Sequence, residues 1–182
     1  LYFGAAVLLF VINSLLGLIP LAGMLAIMLL SPLFMGGLLL GARAQAQGHP
    51  FKLSALFDGF QDSASGALLQ VGLLYTLGAL LIPILIVVIV GAPLLIFVGG
   101  DLERALFSTW AASPLFYLLP LSVAALLYAL LLMAYWFAPA LIVLDGVPPL
   151  RALRLSFIGV NRNLLPLLIY GLLATLLLLL GI

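Results

Sequence analysis

Charge is what this 182-residue chain has least of. It holds six Lys and Arg and five Asp and Glu, so 6% of its residues are charged, against about 25% in a typical soluble domain. With 67% hydrophobic residues, it has too few polar side chains to cover a water-facing surface, and its solvent is largely lipid. Cysteine is absent altogether, which excludes disulfides, thiolate chemistry and cysteine–metal sites and leaves the redox compartment unreadable. Histidine occurs once, as His49, and no partner stands at a metal-ligand spacing from it. Net charge is +1, and no basic patch has the footprint of a nucleic-acid binder. Intramembrane hydrolysis or metal chemistry needs ionisable groups converging in the apolar core. Asp58 and Asp62, at i and i+4, read as a wet polar face, and Lys52 and Ser54, two residues apart, point away from each other on a helix. No catalytic residue, metal site or cofactor is expected, and the chain reads as a non-enzyme. Period-2 polar alternation is also missing, which excludes a barrel. No basic segment precedes the first apolar run, so the start is not a signal peptide. The chain begins at Leu1 without methionine and stops inside "LLATLLLLLGI", so both ends read as trimmed from a longer protein.

What is present is apolar sequence in long runs. Charge-free stretches cover residues 1–42, 63–100, 105–144 and 163–182. A membrane helix needs about 20 residues to cross roughly 30 Å of hydrocarbon, and lipid tolerates only helices or closed barrels. The expected fold is an all-α polytopic transmembrane helical bundle, a single integral membrane domain over 1–182. Its five spans lie near 1–17, 20–41, 66–90, 118–141 and 163–181, the first two divided by "NSLLGLIP". Ser31-Pro32 is expected to kink the second span. Pro83, "GAP" at 91–93, Pro114 and Pro120, with an outer segment around "LFSTWAASPLFY", absorb the excess length. Loops 43–62 and 145–162 carry Arg43, Lys52, Arg151, Arg154 and Arg162, whereas loop 99–104 carries Asp101, Glu103 and one Arg104. The positive-inside rule places the first two loops in the cytoplasm and the third in the periplasm of a bacterial inner membrane. Trp110, Phe116 and Tyr117 read as an outer aromatic belt, and Tyr135, Trp136 and Phe137 as an inner one.

The two cytoplasmic loops look alike. "GHPFKLSALFDGF" (48–60) and "GVPPLRALRLSF" (146–157) share a Gly-x-Pro start, a basic residue, Ala-Leu and a closing Phe. This suggests an internal repeat with units near 20–90 and 118–181. Each loop is expected to form an interfacial amphipathic helix, over 51–62 and 149–160. In the first, Leu53, Leu56, Phe57 and Phe60 make the apolar stripe, opposite Ser54, Asp58, Gln61 and Asp62. In the second, Leu150, Leu153, Phe157 and Val160 make it, blurred by Leu155 and Ile158, with Arg151 and Arg154 off the stripe.

"YWFAPALIVLDGVPPLRALRLSFIGVNRNLLPLLIYGLL" carries a pattern beyond periodicity. Its residues Phe137, Ala138, Pro139 and Ala140, then Pro148, Pro149, Ala152, Leu153, Ser156 and Phe157, then Asn163, resemble the hallmark of a family of bacterial, mostly proteobacterial, multi-pass inner-membrane proteins of unknown function. The chain is also similar to the wider set of YciC-like membrane proteins. The resemblance implies a six-helix protein, with a further amphipathic helix before the first span and a sixth helix after the last. It brings no catalytic residues.

Several residues remain as candidates for contact rather than chemistry. Gln70, Thr76 and Ser122, with Asn13, Ser31 and Thr175, are the strongest polar groups in the spans. They serve either interhelical hydrogen bonding or a polar cavity near the midplane. Gly37 and Gly41 form a Gly-x-x-x-Gly pair that favours close packing within the chain over a dimer face. Asn163 is expected to start the last helix as N-cap or first-turn residue, with Pro166 in its first turn. Arg151, Arg154 and Arg162 either fix topology alone or clasp an anionic lipid head group. The leading function is a non-enzymatic inner-membrane protein, a bilayer-associated scaffold, sensor or lipid-interacting protein. The alternative is a carrier or channel for a small or lipidic solute. The expected partner is the bilayer, including anionic lipid; nothing points to nucleic acid, and protein partners are not readable.

Overall fold

A computed structural model describes residues 2–19, 21–91, 101 and 115–180. The described residues are helical or lie in turns, and no strand occurs among them. Helix α1 covers Tyr2–Gly17 and α2 Ala22–Ala46; a 3-10 helix at Leu53–Phe57 runs into a single α turn, α3, at Asp58–Gln61. Helix α4 covers Ser65–Ile86 and continues as a π-helical turn over Val87–Gly91. Then follow α5, Leu115–Tyr135, α6, Ala138–Asp145, α7, Pro149–Arg162, and α8, Leu164–Leu179.

Three helical stretches are long and apolar enough to cross a bilayer: Ala22–Ala46, Ser65–Val90 and Leu118–Asp145. A fourth is reached if α7 and α8, bent by 78° at Asn163, count as one broken span. The apolar part of α1, Phe3–Gly17, is shorter. Residues 106–114 of the expected outer segment, with Trp110 and Pro114, and Pro93 lie outside the described residues, as do the side chains of Phe116 and Tyr117 and all of loop 99–104 except Asp101, while residues 115–117 begin α5.

The chain divides into two compact units, residues 1–73 with 133–182, and residues 74–132. In the first, Leu33, Leu68, Val71, Ala138, Ile142, Val143 and Ala152 form one buried cluster, and Ala5, Phe51, Ala55 and Leu56 a smaller one. Hydrophobicity alone does not drive helices together in lipid, so close packing by small residues does. Gly37 shows this. A Cβ there would collide with the backbone oxygens of Ala55 and Leu56, and a Cβ at Gly59 with the oxygen of Leu33. The Gly-x-x-x-Gly pair therefore packs against the segment 51–59 of its own chain.

That contact changes the first expected amphipathic helix. It is not one α-helix over 51–62 but a 3-10 turn followed by one α turn. Its buried side is Phe51, Ala55, Leu56 and Gly59, whereas Leu53, Phe57 and Phe60 of the expected stripe stay exposed. Phe51 and Leu56 are buried beside the glycines, whereas the other large side chains of the segment lie outside the close contact. Phe57 and Phe60 instead set their edges around Phe34, with centroids 6.1 and 5.1 Å from it.

In the second unit, Pro83 sits inside α4 and has no N–H to offer Ala79, four residues earlier. The Tyr128 hydroxyl of α5 donates to that freed Ala79 carbonyl at 2.8 Å. Gly78 lets Leu131 approach; a Cβ there would come within 2.9 Å of it.

Candidate functional site

The region of the Phe137–Phe157 motif is built around an interrupted helix. Between α5 and α6 the helix opens at Trp136 and Phe137, just ahead of Pro139, whose ring cannot pass the carbonyl four residues before it. In a continuous helix the Phe137 N–H would bond the Met133 carbonyl. Here the Ser156 hydroxyl of α7 stands between them. It accepts from Phe137 N–H at 2.9 Å and donates to the Met133 oxygen at 2.9 Å. Ser156 is 1% exposed, in a place where an unpaired backbone group has no water to turn to.

Ala152 and Val160, one turn on either side of Ser156, are also buried, and together they form the row by which α7 seats itself. This row is distinct from the expected interfacial stripe. Of Leu150, Leu153, Phe157 and Val160, only Val160 is buried, and Leu150 is 73% exposed. The small residues face protein and most of the large ones do not. Ala138 and Pro139 are buried, and Ala140, Leu153, Phe157 and Pro149 partly so, whereas Phe137 and Pro148 are exposed.

Two turns set α7 in place. Helix α6 ends on Gly146, at φ 66°, whose N–H bonds the Ile142 carbonyl, while Val147 N–H reaches Leu141. Pro148, in an extended conformation, leads to Pro149 at the first turn of α7, where the missing N–H costs nothing. At the far end Asn163 takes the expected N-cap position of α8, with Pro166 in the first turn. It makes no side-chain cap there; its amide donates backwards to the Gly159 carbonyl at 2.8 Å, closing the end of α7.

Arg151, Arg154 and Arg162 are all exposed. At about 100° per residue, Arg154 lies about 160° around α7 from Ser156, and the other two share its side. No ion pair engages any of the three among the described residues. The geometry holds a cationic face away from the protein, while the opposite face is locked into the helix break.

The intramembrane polar candidates are dispersed. Gln70 is exposed and Thr76 buried on the same helix. Ser122 is exposed, and its hydroxyl bonds the Leu119 carbonyl of its own helix at 2.8 Å. Asn13 and Thr175 likewise bond carbonyls four residues back. Ser31 meets the Tyr135 hydroxyl at 3.0 Å, tying α2 to the end of α5. Tyr135, read as a belt residue, thus has a partner inside the bundle. Among the described residues no three His, Asp or Glu side chains gather as a metal site.

Sequence reasoning placed Ser156 in the motif but missed its bond, and missed Tyr128 entirely. The available signal was proline: each proline inside a span frees a carbonyl, and a nearby hydroxyl is the natural replacement donor.

No protein-family model matches the chain, and no solved structure matches it. Among curated proteins it is similar to a probable inner membrane protein of Burkholderia thailandensis, 34% identical over 167 residues, covering 87% of this chain and 60% of the relative. The chain thus spans less than two thirds of the length of that curated relative. With its three to four candidate spans and this likeness, the chain is an integral membrane protein built from helices.

Proposed function

We propose that the chain is a non-enzymatic protein of a bacterial inner membrane, a scaffold or sensor whose cytoplasmic face binds anionic lipid through Arg151, Arg154 and Arg162. The observation that carries this reading is the seating of α7. Ala152, Ser156 and Val160 fix one side of the helix, so the arginines face away as a preformed group. Each cation near an anionic leaflet contributes about 1 kcal/mol, so three give roughly a hundredfold in lipid retention. The non-enzymatic part rests on composition, with no cysteine and one histidine.

The reading includes five spans, with α1 and α8 crossing beside the three longer stretches, and loops 43–62 and 145–162 in the cytoplasm. The support for sidedness is the charge count, five basic residues against one. It also includes the internal repeat. In its favour, Gly48 and Gly146 both take positive φ, at 88° and 66°, each with proline two residues on. Ala55-Leu56-x-x-Gly59-Phe60 and Ala152-Leu153-x-x-Ser156-Phe157 share one spacing, and Ala55, Gly59, Ala152 and Ser156 are all buried. Membership of the inner-membrane family that the motif resembles, and of the wider YciC-like set, belongs to the same reading, as does a longer six-helix protein.

The test is lipid content. Purified Arg151→Ala, Arg154→Ala protein should retain roughly thirtyfold less phosphatidylglycerol than the parent by native mass spectrometry. Equal retention would assign the arginines to topology alone.

A further inference from the structure

A second charged feature lies elsewhere, where the ends of α2, α4 and α6 meet. A cavity of about 440 Å³ opens there, lined by Arg43 from the last turn of α2 and Asp62 from the turn before α4. Leu40, Ala67, Val143 and Val147 add apolar surface to its lining. Arg43 and Asp62 line the same space without forming an ion pair with each other. One Asp62 oxygen accepts from Ala64 N–H at 2.7 Å, which fixes the carboxylate in place.

The sequence places this cavity at a definite level. Arg43 closes the charge-free run 1–42, and Asp62 opens the charge-free run 63–100. Both charges therefore stand where hydrocarbon gives way to head groups. A ligand with a single negative charge would satisfy Arg43 but meet Asp62 as a like charge; a cation would meet the reverse problem. A ligand carrying both charges a few atoms apart satisfies both.

We infer that this cavity holds the head group of a phosphoethanolamine lipid, its phosphate on Arg43 and its ammonium on Asp62, with the glycerol end against Leu40 and Val143. The site is separate from the arginine face of α7. It discriminates by lipid type, whereas three arginines on an open helix respond to negative charge in general.

The experiment is native mass spectrometry of the full chain titrated with phosphatidylethanolamine or phosphatidylglycerol, run also in the Arg151→Ala, Arg154→Ala background to remove the α7 contribution. In that background phosphatidylethanolamine should bind about tenfold tighter than phosphatidylglycerol. Asp62→Asn, which keeps an oxygen for Ala64 N–H, should abolish that preference from both sides, weakening phosphatidylethanolamine binding and strengthening phosphatidylglycerol binding as the like charge is removed. Arg43→Gln should weaken phosphatidylethanolamine binding by a similar factor. Equal binding of the two lipids, or a preference that survives Asp62→Asn, would overturn the inference. So would displacement of the lipid by an equal concentration of soluble phosphoethanolamine. Failure of the α7 proposal reads separately, as phosphatidylglycerol retention indifferent to the arginine substitutions.

Discussion

Replacing Ser156 by alanine removes one oxygen atom and two hydrogen bonds, to Met133 and from Phe137. The hydroxyl is 1% exposed, so water cannot take its place. Left unpaired, each backbone group would cost about 1–3 kcal/mol. Interhelical hydrogen bonds in bilayers measure lower, about 0.6 and at most about 1.7 kcal/mol, because freed groups find other partners. Two bonds on that scale give a loss of about 1–3 kcal/mol, or roughly 3–10 °C in apparent melting temperature for a chain of this size. The assay is thermal unfolding in detergent with amide exchange over residues 133–139, where Phe137 should lose protection first. Ser156→Cys keeps nearly the same volume but offers only a weak donor, and should show most of the loss. A Ser156→Ala protein that melts with the parent and protects Phe137 equally would refute the bridging role. Full stability in Ser156→Cys with loss in Ser156→Ala would assign the effect to packing instead.

Three further outcomes follow from the same geometry. Tyr128→Phe should lower stability by about 1 kcal/mol, because Ala79, whose i+4 partner is Pro83, loses the hydroxyl at 2.8 Å; melting in detergent reads it. Gly37→Ala should be among the most damaging single changes, since the added carbon meets backbone that cannot rotate away. Gly66→Ala, with nothing within 4 Å, should be neutral or gain about 0.5–1 kcal/mol from the stiffer chain, and the pair can be compared by expression and melting. A reporter fused near Gly100 should score as periplasmic; a cytoplasmic score would overturn the span count and the placement of both basic loops.

The sequence carried the solvent of the fold plainly, because 6% charge leaves no other choice. It also marked Gly37 as a packing surface, since a small residue in an apolar helix serves close approach. It did not name the partner, which arrives through a loop that reverses the chain. The amphipathic segments read less well for one physical reason. The apolar stripes mark the side that an interfacial helix turns to lipid, and say nothing of which residues seat it on the protein. In lipid large side chains can stay in the solvent, and the positions where backbones approach go to small residues. Hence Ala152 and Ser156 are buried while Leu150 is not, and Ala55 and Gly59 are buried while Leu53 is not. The bridge from Ser156 to Met133 and Phe137 joins residues 23 and 19 positions away, and no local pattern records such a distance. The three arginines were legible as a group; their common side on α7 became legible only once the buried row was known.

The seating of α7, small row inward, and the proposed orientation of its arginine face toward cytoplasmic head groups are tested most directly by chemical labelling. The chain contains no cysteine, so an introduced thiol is the sole target. Arg154→Cys and Arg162→Cys should react with a membrane-impermeant maleimide in inverted vesicles and stay unlabelled in right-side-out ones. Ala152→Cys, at a position 0% exposed, should react in neither until the protein is denatured. Labelling of Arg154→Cys from the periplasmic side, or equal rates at positions 152 and 154 in native vesicles, would contradict the account.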